Sequence, residues 1–468
     1  MKLSSFKKLT LKFLVFSFIF ILPLSGFGCK LTSSEVQENM KATTLEVWGV
    51  YMDSQDMREI ISDYRVAHPY VQINYKNFRP EEYETELLNA MAEDRGPDIY
   101  LVHNTKVYEY RNKLYPLPAS IKVATVVETG TIKKETSVVL QTNAGLTVGQ
   151  LRKAFVDVVA QDVIISNPET NLEEIYGLPL SMDTLALYYN VDLLNRANLP
   201  EPPSTWMELQ EMVPKLTKVD ANDGIVQSAI ALGLTDNLDH YFDILSALML
   251  QNGTVFLSEY GQMVMDKLPS ELQGKTDTPP AMSALDFFAS FAKPYKVTYT
   301  WDQYMDEAVQ EFAAGNLAMF IGYQFHNETI TGLSPKLNYQ IAPLPQVNPE
   351  YPINYANYWV MGVSKKTEAL DIAWDFIQFA TQSSEVSKYL TASGKVTALK
   401  ALVKDQQTDD LGVFANQVLT AKSWFHGEDF EAVSNIFKQM VDDAATDNYE
   451  SISDLVKGVN LQLNSIYR

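Results

Sequence analysis

Cysteine is almost absent. Cys29 is the only one in 468 residues, so no disulfide framework holds the chain together and its stability rests on buried apolar surface. Histidine is nearly as scarce: His68, His103, His240, His326 and His426 stand apart, with no H-E-x-x-H or C-x-x-C pair among them. That removes the common zinc patterns. No G-x-S-x-G elbow and no G-x-x-x-x-G-K-[ST] loop occurs, so the usual signatures of acyl transfer and phosphate-loop chemistry are missing. Asp220-Ala221-Asn222-Asp223-Gly224 matches a calcium loop only in part, because its glycine comes one place early and no glutamate closes it. It reads as an acidic turn, and neither metal nor cofactor is expected. Basic charge is also short. Against 58 Asp and Glu there are 37 Lys and Arg, a net charge of −21, and such a surface repels a phosphate backbone and argues against nucleic-acid binding. Beyond the first thirty or so residues no run is long and apolar enough to read as a membrane-spanning helix.

What the chain does have begins at its start. Lys2, Lys7, Lys8 and Lys12 precede the greasy stretch Phe13 to Leu24, broken only by Ser17 and Pro23, and Ser25-Gly26-Phe27-Gly28 lead into Cys29. A basic start, an apolar run too short to span a bilayer and small residues before a polar segment form the layout of a secretory signal. A cysteine placed directly after the small residues resembles the bacterial lipoprotein signal, in which that cysteine receives lipid and becomes the mature N-terminus. Gly26 stands where that signal usually has leucine. Residues 1–28 are therefore expected to be a signal peptide, Cys29 the lipidation site and residues 29–43 a polar tether. The protein is expected to be exported and held at the outer face of the cytoplasmic membrane.

Apolar periodicity organises the rest. Leu45 and Val47 alternate in a short strand that ends at Trp48-Gly49, and Met57, Ile60, Ile61 and Tyr64 recur at helical spacing. Val71, Ile73 and Tyr75 alternate again. Pro80 with Glu81 and Glu82 suits a helix start, and Tyr83, Leu87, Leu88 and Met91 supply that helix's inner face. Gly96-Pro97 breaks it before the strand Asp98 to Val102. The order β-α-β-α-β predicts an α/β fold with a mostly parallel sheet. Val123 to Val127 and Ser137 to Leu140 predict strands of a surface insertion within Ser120 to Gly149. Thr205 and Glu208 stand at capping-box spacing before the stripe Trp206, Leu209, Val213 and Leu216. The second half repeats the pattern: a helix ending at Gly315, a strand Leu317 to Ile321, a strand Trp359 to Val363, and a helix with Leu370, Ala373, Ile377 and Ala380 inward.

Four stretches together resemble the extracellular solute-binding proteins of bacterial ABC importers, the sugar-binding family that includes maltose-binding protein. They are Leu45-Glu46-Val47-Trp48-Gly49 with Gly96-Pro97-Asp98-Ile99-Tyr100; Tyr176-Gly177-Leu178-Pro179 through Asp183, Tyr188-Tyr189-Asn190 and Pro203-Ser204-Thr205-Trp206; Phe312 through Met319 with Gly322; and Tyr358 through Ser364 running into Ala373-Trp374-Asp375-Phe376-Ile377. The resemblance implies a two-lobe periplasmic-binding-protein-like fold with a ligand cleft between the lobes. It implies crossings near Leu180–Thr184, Tyr358–Val363 and Leu399–Ala401, with one lobe from 44–182 and 360–400 and the other from 183–359 and 401–468. It further implies a monomer that breaks no bond, carries a small-molecule carbohydrate, and delivers it to the transmembrane subunits of an ABC permease.

Sugars offer apolar ring faces to aromatic side chains and hydroxyls to amides and carboxylates, and sites in open α/β sheets lie beyond the carboxyl ends of strands. On those grounds the expected ligand contacts are Trp48 and Asn104 after the first and third strands, Asp183 at the first crossing, Tyr323 and Gln324 after the strand ending at Gly322, and Asn357, Tyr358 and Trp359 at the second crossing. Trp206 and Trp374 lie on apolar helix faces and read as core, as does Trp301, whereas His326 reads as a polar surface residue. Two other classes stay open at this point: an exported carbohydrate-active hydrolase with a carboxylate pair in the same cleft, and a surface sugar receptor for signalling.

Overall fold

The computed structural model describes residues 39–130, 135–167, 170–222, 224–408 and 411–466. The signal segment and Cys29 lie outside them. Among the described residues no helix is long and apolar enough to cross a membrane.

Local sequence rules account for the elements that carry the site. Strand Thr43–Val50 buries Leu45 and Val47 on one side, and helix Arg58–Ala67 turns Ile60 and Tyr64 inward. Helix Pro80–Ala92 opens with proline in its first turn, and Glu82 accepts from the Arg79 backbone N–H at 3.4 Å and from its guanidinium at 2.7 Å. Tyr83 then reaches from its buried face to donate to the Leu101 carbonyl at 2.7 Å. The Thr205–Glu208 capping box is present, and it starts helix Trp206–Leu216.

Two sheets form. The first has the order Val71–Phe78, Thr43–Val50, Ile99–His103, Trp359–Ser364, Leu114–Tyr115, with Leu178–Pro179 also against Trp359–Ser364. Its first three strands run parallel. The strand Trp359–Ser364 arrives from the far end of the chain and enters antiparallel, placing Trp359 opposite His103. The second sheet runs Lys218–Val219, Ile225–Ile230, Leu317–Gly322, Ala186–Asn190, Tyr339–Pro343. Between the two sheets lies a three-stranded one, Asp183–Thr184, Asn354–Asn357 and Ala421–Lys422. The chain passes from one sheet to the other through these strands, so three distant segments meet there.

The third passage comes later than Leu399–Ala401. Helix Lys400–Gln406 still lies with the first sheet's elements, its Lys400 Nζ donating to the Arg152 carbonyl at 2.9 Å and to Asp157 at 2.6 Å. Only helix Gly412–Gln417 joins the second, where Gln417 Oε1 accepts from the Leu344 N–H at 3.0 Å. The insertion is a single antiparallel hairpin, Ser120–Thr129 with Glu135–Ala144, packed by its base on helix Leu370–Ala380. Trp206, Trp301 and Trp374 are buried, and the Trp301 indole donates to Asn237 Oδ1 at 2.9 Å. His326 departs from its surface reading. It is 4 % exposed because Gly322, where a side chain would strike the His326 ring at 2.8 Å, leaves room for it.

Candidate functional site

The first strand of the lobe-to-lobe return begins with Trp359, and its half-buried ring gathers others. Tyr51 lies 5.8 Å away centroid to centroid, Tyr83 5.9 Å and His103 5.2 Å. Tyr51 is 56 % exposed, its backbone is left-handed with φ 55°, and its carbonyl accepts a hydrogen bond from Lys395 Nζ. Trp48 is half-buried too, but its ring packs against Phe78 at 4.6 Å with Lys76 Nζ 5.1 Å from its centre. No ring contact joins Trp48 to Trp359 among the described residues.

Polar groups meet at the hinge sheet beside these rings. Asp183 pairs with Asn357 across it, and Asp183 Oδ1 accepts from the Thr184 and Gln324 backbone N–H groups at 3.2 and 3.3 Å. Burial pushes the Asp183 carboxyl up to about 7, although those two bonds and nearby Lys395 favour the charged form. Asn357 Oδ1 shares a 3.1 Å hydrogen bond with His103 Nε2, and His103 Nδ1 meets Thr105 Oγ1 at 2.7 Å. Burial pushes the His103 imidazole down to about 4, so it is neutral near pH 7. On its other side Asn357 lies near Asp243 and Tyr323 of the second lobe and favours their charged forms. The Tyr323 hydroxyl donates to Asp243 Oδ2 at 2.8 Å, and burial pushes that carboxyl up to about 7. Gln324 is half-buried and its side-chain amide makes no hydrogen bond among the described residues.

Three expected contacts turn out to be engaged inside the protein. Tyr323 is fully buried, with its carbonyl held by the Tyr188 hydroxyl at 2.7 Å. Asn104 and Tyr358 are 2 % and 3 % exposed. Both bond Asp162 Oδ2, at 3.1 Å from Asn104 Nδ2 and 2.6 Å from the Tyr358 hydroxyl. They shape the hinge from beneath. Trp359, Asp183, Gln324 and Asn357 remain partly open at the junction of the lobes.

Other groups join that junction without having been singled out. Tyr51 follows the first strand and obeys the same strand-end rule that selected Trp48. His103, His240 and Asp243 carry no motif, since their proximity arises only when the two lobes come together. Phe325, 47 % exposed, stacks on Tyr323 at 6.2 Å and on His326 at 4.3 Å. Lys395 brings a cation to this junction through its bond to the Tyr51 carbonyl. A separate cavity of about 600 Å³ on the outer side of the first lobe, lined by Arg58, Ile61, Arg65 and Tyr75 among others, contains none of these residues.

The arrangement can hold a small molecule between rings and hydrogen-bonding groups. Residues 52–386 match the family model described as bacterial extracellular solute-binding protein. The maltodextrin-binding protein MdxE of Bacillus subtilis is 27% identical over 271 residues, covering 55% of this chain and 57% of that protein. A binding protein of Brucella abortus is 27% identical over 174 residues, covering 36% of this chain and 38% of its own. The chain thus aligns with only about 38 to 57% of the length of these relatives. Among solved structures, the cyclic α-maltosyl-1,6-maltose binding protein of Arthrobacter globiformis superposes with a TM-score of 0.68 at 16% identity, over 91% of this chain and 98% of that one. UgpB of Mycobacterium tuberculosis, in complex with glycerophosphocholine, gives 0.65 at 16% identity over 90% and 98%. These likenesses show the two-lobe fold. The relatives are binding proteins rather than enzymes, and the family match covers most of the sequence. This chain belongs to the bacterial extracellular solute-binding proteins.

Proposed function

We propose that the protein is the substrate-binding component of an ABC importer for a carbohydrate-type solute, held at the outer face of the membrane by lipid on Cys29. The observation that carries this reading is the pairing of an aromatic group with polar groups at the hinge. Trp359 and Tyr51 supply ring faces within 5.8 Å of each other, and Asp183, Asn357 and His103 supply donors and acceptors beside them. A pyranose has that same division between faces and hydroxyl edge. A ligand touching both lobes favours the closed arrangement by its preference for it, and a permease can then distinguish loaded from empty protein. The monomer suffices, since both walls of the cleft come from one chain. The names of MdxE and of the Arthrobacter protein support the carbohydrate part.

The test is a thermal-shift screen of the purified protein against mono-, di- and oligosaccharides, polyols and glycerophosphodiesters. A ligand that binds the native state alone, at a hundred times its Kd, adds about 2.7 kcal/mol of stability, a readily measured rise in melting temperature. The bound sugar should be recovered chemically unchanged. A screen in which no carbohydrate raises the melting temperature rejects the reading.

A further inference from the structure

His240 has three local features that packing does not account for. It precedes helix Tyr241–Gln251 with a left-handed backbone, φ 62° and ψ 21°, a conformation uncommon outside glycine, although histidine adopts it more often than most residues. It occupies the position where Ser, Thr, Asp or Asn normally caps the helix, yet its side chain caps nothing. Its side chain is only 24 % exposed, and among the described residues neither ring nitrogen makes a hydrogen bond. Nδ1 stops 3.7 Å from Asp243 Oδ2, beyond hydrogen-bond range. The ring is thus half-buried, with its nitrogens open to water or to a ligand.

Its surroundings place it in the cleft. Tyr323, His326 and Phe325 meet the ring edge-on at 4.8, 5.5 and 5.8 Å. His103 of the first lobe is near enough to act on it, and the adjoining Asp239 acts likewise on Tyr51. Burial, helped by the charges that His326 and His103 would carry, pushes the imidazole down to about 3, so it is neutral at physiological pH. Backbone strain held by its surroundings is a feature of functional sites.

We propose that His240 is a ligand contact and a determinant of specificity, presenting one donor and one acceptor to adjacent hydroxyls of an uncharged polyhydroxylated solute. A hydroxyl both donates and accepts, so it satisfies both ring nitrogens of a neutral imidazole. A phosphate or carboxylate satisfies only the donor and leaves the other nitrogen facing negative charge. The site therefore selects neutral sugars over phosphorylated ones. This rests on the carbohydrate reading above.

His240→Gly and His240→Asn provide the test, because both residues tolerate a left-handed backbone while only asparagine keeps a donor and an acceptor. Calorimetric titrations at pH 7 with maltose, maltotetraose, tagatose and glycerophosphocholine give affinities, and scanning calorimetry without ligand reports the fold. The parent should bind at least one of the three sugars and not glycerophosphocholine. His240→Gly should weaken that sugar about ten- to hundredfold, as expected for two lost hydrogen bonds, and His240→Asn by less than about fivefold. Both variants should melt within roughly 3 °C of the parent. If the glycine variant binds the sugar as the parent does, the residue serves the backbone alone and the proposal is wrong, with the carbohydrate reading intact. Preferential binding of glycerophosphocholine by the parent also overturns it. If the parent binds no carbohydrate of the thermal-shift panel, the carbohydrate reading falls and His240's role with it.

Discussion

Asp183 and Asn357 face each other in the hinge sheet, and their side chains join different partners. Asp183 accepts from the Gln324 backbone at 3.3 Å, in the second lobe. Asn357 meets His103 of the first lobe at 3.1 Å and lies near Asp243 and Tyr323 of the second. A rotation of the lobes about this sheet must therefore act on one or both hydrogen-bond sets. The residues proposed to contact ligand are therefore also hinge residues.

Replacing Trp359 and Asp183 separates the ring face from the hydroxyl acceptor. A hydrogen bond to a charged group is worth roughly 1.5–3 kcal/mol, and an aromatic contact gives a loss of similar order. Trp359→Ala and Asp183→Ala should each weaken sugar binding about ten- to hundredfold, with Asp183→Asn costing less because its amide keeps an acceptor. Both alanine variants should also show less ligand-induced compaction in solution scattering. Unchanged affinity in both would make them hinge packing; a lower melting temperature without ligand would make them core.

How much of this was readable depends on distance along the chain. The helix start at Pro80, the Thr205–Glu208 cap and the inward stripes are local, and they appear where spacing put them. The antiparallel entry of Trp359–Ser364 beside Ile99–His103 is not local, because no turn rule connects strands so far apart in sequence. Trp48 was chosen as the residue after the first strand, but the strand continues to Val50, so Tyr51 occupies the strand-end position instead. His240 and Asp243 gave no signal. His240 precedes the largely buried helix Tyr241–Gln251 and Asp243 lies in its first turn, and only the meeting of the lobes gives them chemistry. His326 read as surface because its neighbours in sequence are polar, while the space that accepts it is created by Gly322.

The junction holds groups whose titrations oppose each other. Burial pushes Asp183 and Asp243 up to about 7, while such carboxyls titrate near 4 when unfolded. Between those values the folded state keeps protons that the unfolded state has lost, so stability falls as pH rises. Burial pushes His103, His240 and His326 down to about 4, 3 and 4, below the unfolded value of about 6.5. There the unfolded state holds the extra protons, and stability rises with pH until about 6.5. Above that only the carboxyls still act, so the unliganded melting temperature should decline from about pH 6.5 to 8. In Asp243→Asn that decline should be shallower. Equal slopes in scanning calorimetry would show that Asp243 keeps an ordinary acidity.

Membrane attachment has its own test. Cys29 follows a basic start and a greasy run, and Cys29→Ser removes the only thiol that could receive lipid. The variant should leave the membrane fraction or persist as unprocessed precursor. If it fractionates and migrates like the parent, no lipid is attached at Cys29.

Asp162 offers the most direct check on the hinge itself. It lies on helix Asp157–Val163 and is 2 % exposed. Oδ2 accepts from Asn104 and Tyr358, while Oδ1 takes the Ser423 hydroxyl and meets His426 Nε2 at 2.9 Å. One carboxyl thus ties a first-lobe strand end, the segment after hinge strand Asn354–Asn357 and the segment after Ala421–Lys422. Asp162→Ala leaves several buried donors without a partner, at about 1–3 kcal/mol for each that water cannot reach. With about 2–4 °C lost per kcal/mol in a domain of 150–250 residues, the melting temperature should drop by roughly 5–10 °C. Asp162→Asn keeps one acceptor oxygen but brings an amide toward Ser423 and His426, so it should recover only part of the loss. Scattering from unliganded protein distinguishes a pin from mere packing. If Asp162 fixes how the passages sit against the first lobe, the alanine variant should show a broader distribution of lobe separations at temperatures where it is fully folded. A variant that melts early yet scatters like the parent would assign Asp162 to the stability of its own lobe and remove it from the hinge.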